Sequence, residues 1–365
     1  MLKRLHLQNF TVFADADFEF GPGLNVIVGT NGTGKSHVLK LGYAVTQTLA
    51  SAQQTRRSNV DSNFLLSLMS GIATRLSSTF LPGTQNKLVR NNSKEDAIIL
   101  SAFDSNENIL GFRIIHSQKA ANGIGIEHNL VDSAPETGMP VFIPAKEILS
   151  LMPDIVGISE KNSGVFDSTY SDLAKQLTIR AAQNPPVLAQ QIINSWADLM
   201  DGTIQSEDGR FYFHPTQGNK FRVGLAAEGF RKLGTLVHLL ANDTLTPQTT
   251  LFWDEPEANL NPQLLRELAK VLAELARQGF QIILATHSMS LLKEFHILSR
   301  EAAEQPLPIR YFGLNAEPGE PTTVVTRDDF KLLPDVVALE VELEQADDLE
   351  EIFAREARQR HANHR

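Results

Sequence analysis

The stretch Gly29-Thr30-Asn31-Gly32-Thr33-Gly34-Lys35-Ser36 constrains this chain more than any other. Its pattern, G-x-x-x-x-G-K-S, follows the apolar run Leu24-Asn25-Val26-Ile27-Val28, which reads as a buried strand. It leads into the segment from Val38 to Val45, which reads as a helix. In that setting glycines let successive backbone N–H groups turn inward onto phosphate oxygens, and the helix N-terminus adds partial positive charge. Lys35 is expected to reach the β/γ-phosphates and Ser36 to offer its hydroxyl to Mg²⁺. With Asn31, Gly32, Thr33, Gly34 and His37 completing the cradle, the sequence predicts a P-loop that binds ATP and Mg²⁺.

A second apolar run, Leu251-Phe252-Trp253, ends in Asp254-Glu255-Pro256. Asp254 is expected to hold the metal opposite Ser36. Glu255, one residue further into the loop, is placed to orient and deprotonate the water that attacks the γ-phosphate. A third run, Gln281–Ala285, is followed by Thr286-His287-Ser288. A neutral histidine at the C-terminal end of a parallel strand can hydrogen-bond the γ-phosphate or the attacking water. Lys35, Glu255 and His287 are therefore the expected catalytic residues.

Composition narrows the setting. At 365 residues the chain exceeds the usual size of a single core, so a main domain with insertions is expected. Cysteine is absent, which removes disulfides and thiolate metal sites from consideration. The N-terminus runs straight into an alternating strand pattern, and no apolar run approaches a bilayer-spanning length; a cytoplasmic protein without membrane partners is the expectation. A formal net charge of −10 argues against a broadly basic surface, so nucleic acid is not indicated as a partner.

Along the chain, strands are expected at Leu5–Phe10, Ala16–Phe20 and Leu24–Val28. A polar helical region from Ser51 to Phe80 reads as an insertion, and Pro82-Gly83 opens a β-rich block with strands near 96–103, 109–115 and 141–144. Helices dominate from Lys146 to Met200, broken at Pro153 and Pro185-Pro186. A hairpin joins Arg210–Phe213 to Phe221–Val223, a helix spans Pro262–Gln278 between two buried parallel strands, and an acidic helix closes the chain.

The ordered set of motifs resembles the ABC-type ATPases of the RecF, SMC-like and OLD-like cluster. Leu5-His6-Leu7-Gln8-Asn9-Phe10 looks like the start of that group, and Asp254 to Pro262 looks like its Walker B and D-loop. The resemblance implies an α/β P-loop NTPase with an ABC-type head, an antiparallel β-subdomain and an inserted helical lid. Expected units are 1–50 and 225–335 for the ATPase core, 51–83 for a helical insertion, 84–145 for the β-subdomain, 146–224 for the lid and a hairpin, and 336–365 for an acidic tail. The family signature falls at Leu225-Ala226-Ala227-Glu228-Gly229, with Ala227 where the family usually has serine. Gly229 and the helix N-terminus can still offer N–H donors to a phosphate, and Arg231 or Lys232 is a candidate for the missing contact. The glutamine that usually follows the β-subdomain is replaced by Lys146-Glu147 and has no assigned role.

The resemblance further implies a homodimer or higher oligomer that closes around two nucleotides. The favoured use is an ATPase switch that restrains a separately encoded effector, as in antiphage modules. A DNA-repair or DNA-organising ATPase and a P-loop kinase are the alternatives.

Overall fold

The chain opens on an antiparallel hairpin, β1 (Arg4–Phe10) and β2 (Phe13–Glu19), and then enters β3 (Leu24–Gly29), whose six residues are all buried. This computed structural model describes residues 1–58, 64–91, 93–103, 109–115, 124–129, 136–161, 164–301, 306–333, 345 and 347–355. Beyond the P-loop, α1 (Lys35–Ser58) and α2 (Phe64–Phe80) pack together, with Leu68, Ile72 and Leu76 spaced one turn apart on the buried face of α2. Three strands follow, β4 (Ala97–Ala102), β5 (Ile109–Ile114) and β6 (Ile124–Asn129), and then a short β7 (Val141–Ile143). Helices α3 (Met152–Lys161), α4 (Ser168–Leu177) and α5 (Val187–Met200) lead to the ribbon β8 (Gly202–Glu207), β9 (Arg210–Pro215) and β10 (Phe221–Arg222). The remainder is α6 (Glu228–Ala241), β11 (Thr250–Asp254), α7 (Pro262–Arg277), β12 (Gln281–Thr286), α8 (Met289–Glu301), β13 (Ile309–Asn315) and β14 (Thr323–Arg327).

The strands form three sheets. The central sheet runs β14-β13-β3-β12-β11-β7, parallel except for the antiparallel edge strand β14. A five-stranded antiparallel sheet runs β2-β1-β4-β5-β6, and the ribbon β10-β9-β8 is the third. Successive side chains of the central strands feed opposite faces, as pleating requires. Leu24, Val26, Leu251, Trp253, Ile282 and Leu284 join the core that also holds the buried faces of α3 to α8. Ile27, Phe252, Ile283 and Ala285 join the core shared with α1, α2 and the antiparallel sheet. Strands buried on both faces read as continuous apolar runs, which is why these three were legible.

Asn25 and Gln281, polar residues inside the central sheet, are paired. The Asn25 amide donates to the Gly21, Gly23 and Ile282 carbonyls while its oxygen accepts from the Gly21 N–H. Gln281 accepts from the Thr250 hydroxyl and donates to the Leu2 and Gly21 carbonyls, tying the N-terminus to the base of β12. At the start of α7, the Asn261 side chain accepts from the Leu264 N–H and Pro262 fills the first turn. Asn261→Ala should cost about 1 kcal/mol of folding stability, to be read from the denaturant midpoint. A cost near zero would show that α7 does not need this cap.

Three sequence expectations change. The boundary at residue 50 falls inside one continuous helix, because α1 runs to Ser58; α2 then packs back on it. Pro153 does not break a helix but lies in the first turn of α3, where its missing N–H costs no intrahelical bond. The strand at 141–143 leaves the β-rich block and pairs in parallel with β11 at the edge of the central sheet. The expected acidic tail lies mostly outside the described residues; 347–355 are helical. Among the described residues no helix is long and apolar enough to cross a membrane.

Candidate functional site

The P-loop connects the buried strand β3 to α1, and its glycines are dictated by local geometry. Gly32 and Gly34 have φ of +85° and +93°, the left-handed region that other residues rarely adopt. A Cβ on Gly34 would also lie 2.6 Å from Val12 Cγ2. Asn31 and Gly32 are exposed at the loop's tip, while the Thr33 hydroxyl donates to the Thr30 carbonyl at 2.9 Å. Lys35 folds back over the loop, its ammonium donating to the Gly29 and Thr30 carbonyls at 2.8 and 2.9 Å. Burial pushes its pKa below the ordinary lysine value, against the opposing pull of Glu255, Asp254 and Glu257. The His37 ring turns toward Phe80 on α2, with centroids 6.0 Å apart, and burial followed by Lys40 lowers its pKa. Its contribution to a phosphate cradle is therefore limited to the backbone N–H at the helix start.

Sheet order brings the distant motifs together. β12 lies between β3 and β11, so the P-loop, Asp254-Glu255 and Thr286-His287 all leave the same C-terminal edge of the parallel sheet. The Ser36 hydroxyl donates to Asp254 Oδ2 at 2.7 Å. Asp254 Oδ1 is buried with no hydrogen-bond partner, and burial raises the carboxyl pKa despite the Ser36 bond. A buried carboxylate oxygen left open beside a serine hydroxyl fits a Mg²⁺ that takes its other ligands from phosphate and water.

Glu255 adopts φ +48°, an uncommon conformation for a residue with a Cβ, and its N–H donates to the Ala285 carbonyl at 2.9 Å. The turn brings its carboxylate to 3.4 Å from His287 Nδ1. Glu257 closes the same corner. Its Oε1 accepts from the Thr286 hydroxyl at 2.6 Å and from the His287 N–H at 3.3 Å. The signal for it was present in Asp-Glu-Pro-Glu, but only the fold places the fourth residue beside β12.

The signature segment meets the same turn from its other side. Gly229 is buried, and a Cβ there would lie 3.0 Å from both Leu260 Cδ2 and Leu264 Cδ1, so a side chain would need these leucines to give way by a few tenths of an ångström. Gly224, Leu225 and Ala227 are the exposed members of the loop, with Ala227 at the N-cap of α6 and offering no capping group. Neither candidate cation faces outward. Arg231 donates to the Gly224 and Ala226 carbonyls and pairs with the buried Glu147 at 2.6 Å. Lys232 is 2% exposed and donates to the Glu255 carbonyl at 3.2 Å, burial lowering its pKa. The expectation that one of them supplies a missing charge is therefore corrected: both are committed within their own subunit. Glu147, in the place of the missing glutamine, also accepts from the Ser150 N–H and hydroxyl.

The P-loop helix is tied to α4 by part-buried polar contacts. Lys40 pairs with Asp167, the N-cap of α4, at 2.8 Å, while Asp172 accepts from the Tyr43 hydroxyl and pairs with Arg75.

Known proteins share these features in two blocks. Residues 4–123 match a family described as "AAA domain", and residues 144–293 match one described as "AAA domain, putative AbiEii toxin, Type IV TA system". A curated relative, the L-cystine import ATP-binding protein TcyC of Bacillus subtilis, is 25% identical over 39% of this chain. The chain spans about half of that relative's length, 53%. Two solved structures share the fold. An SMC head bound to the C-winged helix domain of ScpA matches with a TM-score of 0.55 and 15% identity, over 90% of this chain and 98% of its own. An SMC head with an extended coiled coil, bound to the C-terminal domain of ScpA derived from Pyrococcus furiosus, matches with a TM-score of 0.51 and 13% identity, over 96% and 99%. Motif order, sheet topology and these matches together support an ABC-like P-loop ATPase of the RecF/SMC-like cluster.

Proposed function

We propose that this chain is an ATP-hydrolysing switch that closes as a dimer around nucleotide and controls a separate effector protein. The observation that carries the reading is the convergence of Ser36–Asp254 and Glu255–His287 on one sheet edge. Ser36 and Asp254 would hold Mg²⁺, which when bound supplies charge neutralisation at the β/γ-phosphate oxygens. Lys35 would leave its carbonyl partners for the phosphates. Glu255 would take the proton of a water whose oxygen attacks the γ-phosphorus, with the bond to the β-phosphate oxygen breaking and ADP leaving. His287 would hold the γ-phosphate or that water from the neighbouring strand.

The exposed loop residues Gly224, Leu225 and Ala227 support association with a second copy, since Leu225 leaves a large apolar side chain 80% accessible. The AbiEii description of the family matching 144–293 supports a defence role and a separately encoded partner. ATP turnover by the purified protein with no added acceptor tests the central claim. Phosphate release supports hydrolysis, whereas transfer only to an added acceptor would favour a kinase.

Ala227→Asp tests the two-subunit arrangement. An aspartate at an N-cap favours α6 locally, so the fold should be at least as stable as the parent. In the closed dimer it would set a negative charge against the partner's γ-phosphate, and such like-charge contacts cost several kcal/mol, so turnover should fall by about tenfold or more. Mixing this variant with Lys35→Ala should restore part of the activity, because one mixed site is intact. Mixed dimers without restored turnover would overturn the arrangement.

A further inference from the structure

Glu257 is a buried carboxylate with one oxygen unpaired. Its side chain is only 8% exposed, a position in which a carboxylate is costly unless its oxygens are engaged. Only Oε1 is engaged. It accepts from the Thr286 hydroxyl and the His287 N–H, and His287 Nδ1 stands 3.7 Å away; Oε2 is buried with no hydrogen bond. The charges of Lys35 and Lys232 both feel it, so two buried ammonium groups partly offset its field. It therefore stands at the point where the P-loop, the helix α6 and the end of β12 meet.

We propose that Glu257 is a positioning residue for the hydrolytic step, fixing the backbone and ring of His287 so that the imidazole faces Glu255 and the nucleotide. The proposal rests on the hydrolytic reading given above. The geometry gives it a specific form. The Thr286 hydroxyl and the His287 N–H converge on one carboxylate oxygen, which sets the direction in which the chain leaves β12. The His287 ring is itself half-exposed, with 49% of its side chain accessible, so packing alone does not hold it. Nδ1 is flanked by Oε1 of Glu255 at 3.4 Å and Oε1 of Glu257 at 3.7 Å, so that side of the ring faces two carboxylates. Nε2 is then the atom left to meet the nucleotide.

Four variants test this: Glu257→Ala, Glu257→Gln, His287→Ala and the double variant Glu257→Ala/His287→Ala. Each is measured for kcat, KM and binding of a non-hydrolysable ATP analogue. Misplacement of a reacting group by about 1 Å costs on the order of 10²-fold, so Glu257→Ala should lower kcat by about that factor while KM and analogue affinity hold. Glu257→Gln keeps an acceptor oxygen for Thr286 and His287 and should recover most of the rate. In the His287→Ala background the alanine at 257 should cost no more than about threefold, because the group it positions is gone. Where Glu257→Ala proves unstable, Thr286→Val removes the same contact from the other side and should lower kcat in the same His287-dependent way.

Equal losses from Glu257→Ala with and without His287, a glutamine as slow as the alanine, or an unchanged kcat would each overturn the proposal. The hydrolytic reading fails differently: Glu255→Gln and His287→Ala would then both turn over ATP at the parent rate.

Discussion

Lys35→Ala is expected to abolish ATP binding at concentrations where the parent is saturated. Lys35 is the cationic side chain of the loop from Gly29 to Ser36, and its ammonium already lies within 2.9 Å of two loop carbonyls. In the nucleotide complex those donors would turn to phosphate oxygens, and each charge-assisted bond is worth about 1.5–3 kcal/mol. Losing two such bonds corresponds to about 10²–10⁴-fold in affinity at 1.4 kcal/mol per decade. Equilibrium binding of a fluorescent ATP analogue measures this directly. Removing the ammonium also frees the Gly29 and Thr30 carbonyls, so a thermal melt of the unliganded variant must accompany the titration. A folded variant with parental affinity would remove the P-loop from the functional account.

The features legible in the sequence were those in which one chemical demand fixes both residue type and spacing. Positive φ at Gly32 and Gly34 leaves few alternatives to glycine, and a strand buried on both faces leaves few alternatives to Leu251-Phe252-Trp253. Strands β6, β8, β13 and β14 were not legible. β8 carries Thr203, Gln205, Ser206 and Glu207, and β14 is half-exposed, so neither presents the apolar run that marks a buried strand. β7 was found but assigned to the wrong sheet, because three residues carry no information about their partner. Within the site, Glu257 carried no assigned role and Lys232 a different one, for a shared reason. Each acts across a gap between elements that only the sheet order closes, and neither belongs to a spacing pattern.

Those cross-element contacts bear on how the site would respond to a second subunit. Helix α6 is joined to the turn after β11 at three points: Lys232 to the Glu255 carbonyl, the Asn259 amide to Glu228 at 2.8 Å, and Gly229 against Leu260. The exposed signature loop sits at the start of that helix, and Arg231 holds two of its carbonyls while pairing with Glu147. A displacement of the loop by a partner's nucleotide would therefore reach Glu255 through packed and hydrogen-bonded atoms within one subunit. Ala227 removes the usual hydroxyl from the loop's surface without disturbing any of these ties, which is why the exposed position and not Gly229 is the one to substitute. A side chain at Gly229 would push Leu260 and Leu264 and confound folding with catalysis.

Glu255→Gln is expected to keep ATP binding and to lose hydrolysis. The substitution is nearly isosteric, and the backbone features that place residue 255, its left-handed φ and its N–H bond to Ala285, do not depend on the carboxylate. An amide can still orient a water, but it cannot accept the proton, and general-base contributions are typically ~10²–10⁴-fold. His287 Nδ1 would face an amide in place of a carboxylate, so part of any loss travels through the histidine. A Glu255→Gln/His287→Ala double variant separates the two routes, since a shared route gives less than the product of the single effects. The variant should also lengthen the life of the ATP-bound dimer, seen by light scattering as a mass increase on ATP addition that persists after the parent has returned to its starting mass. Parental turnover in Glu255→Gln would mean that the water gives its proton elsewhere, and the positive φ at 255 would then serve only the turn into Pro256.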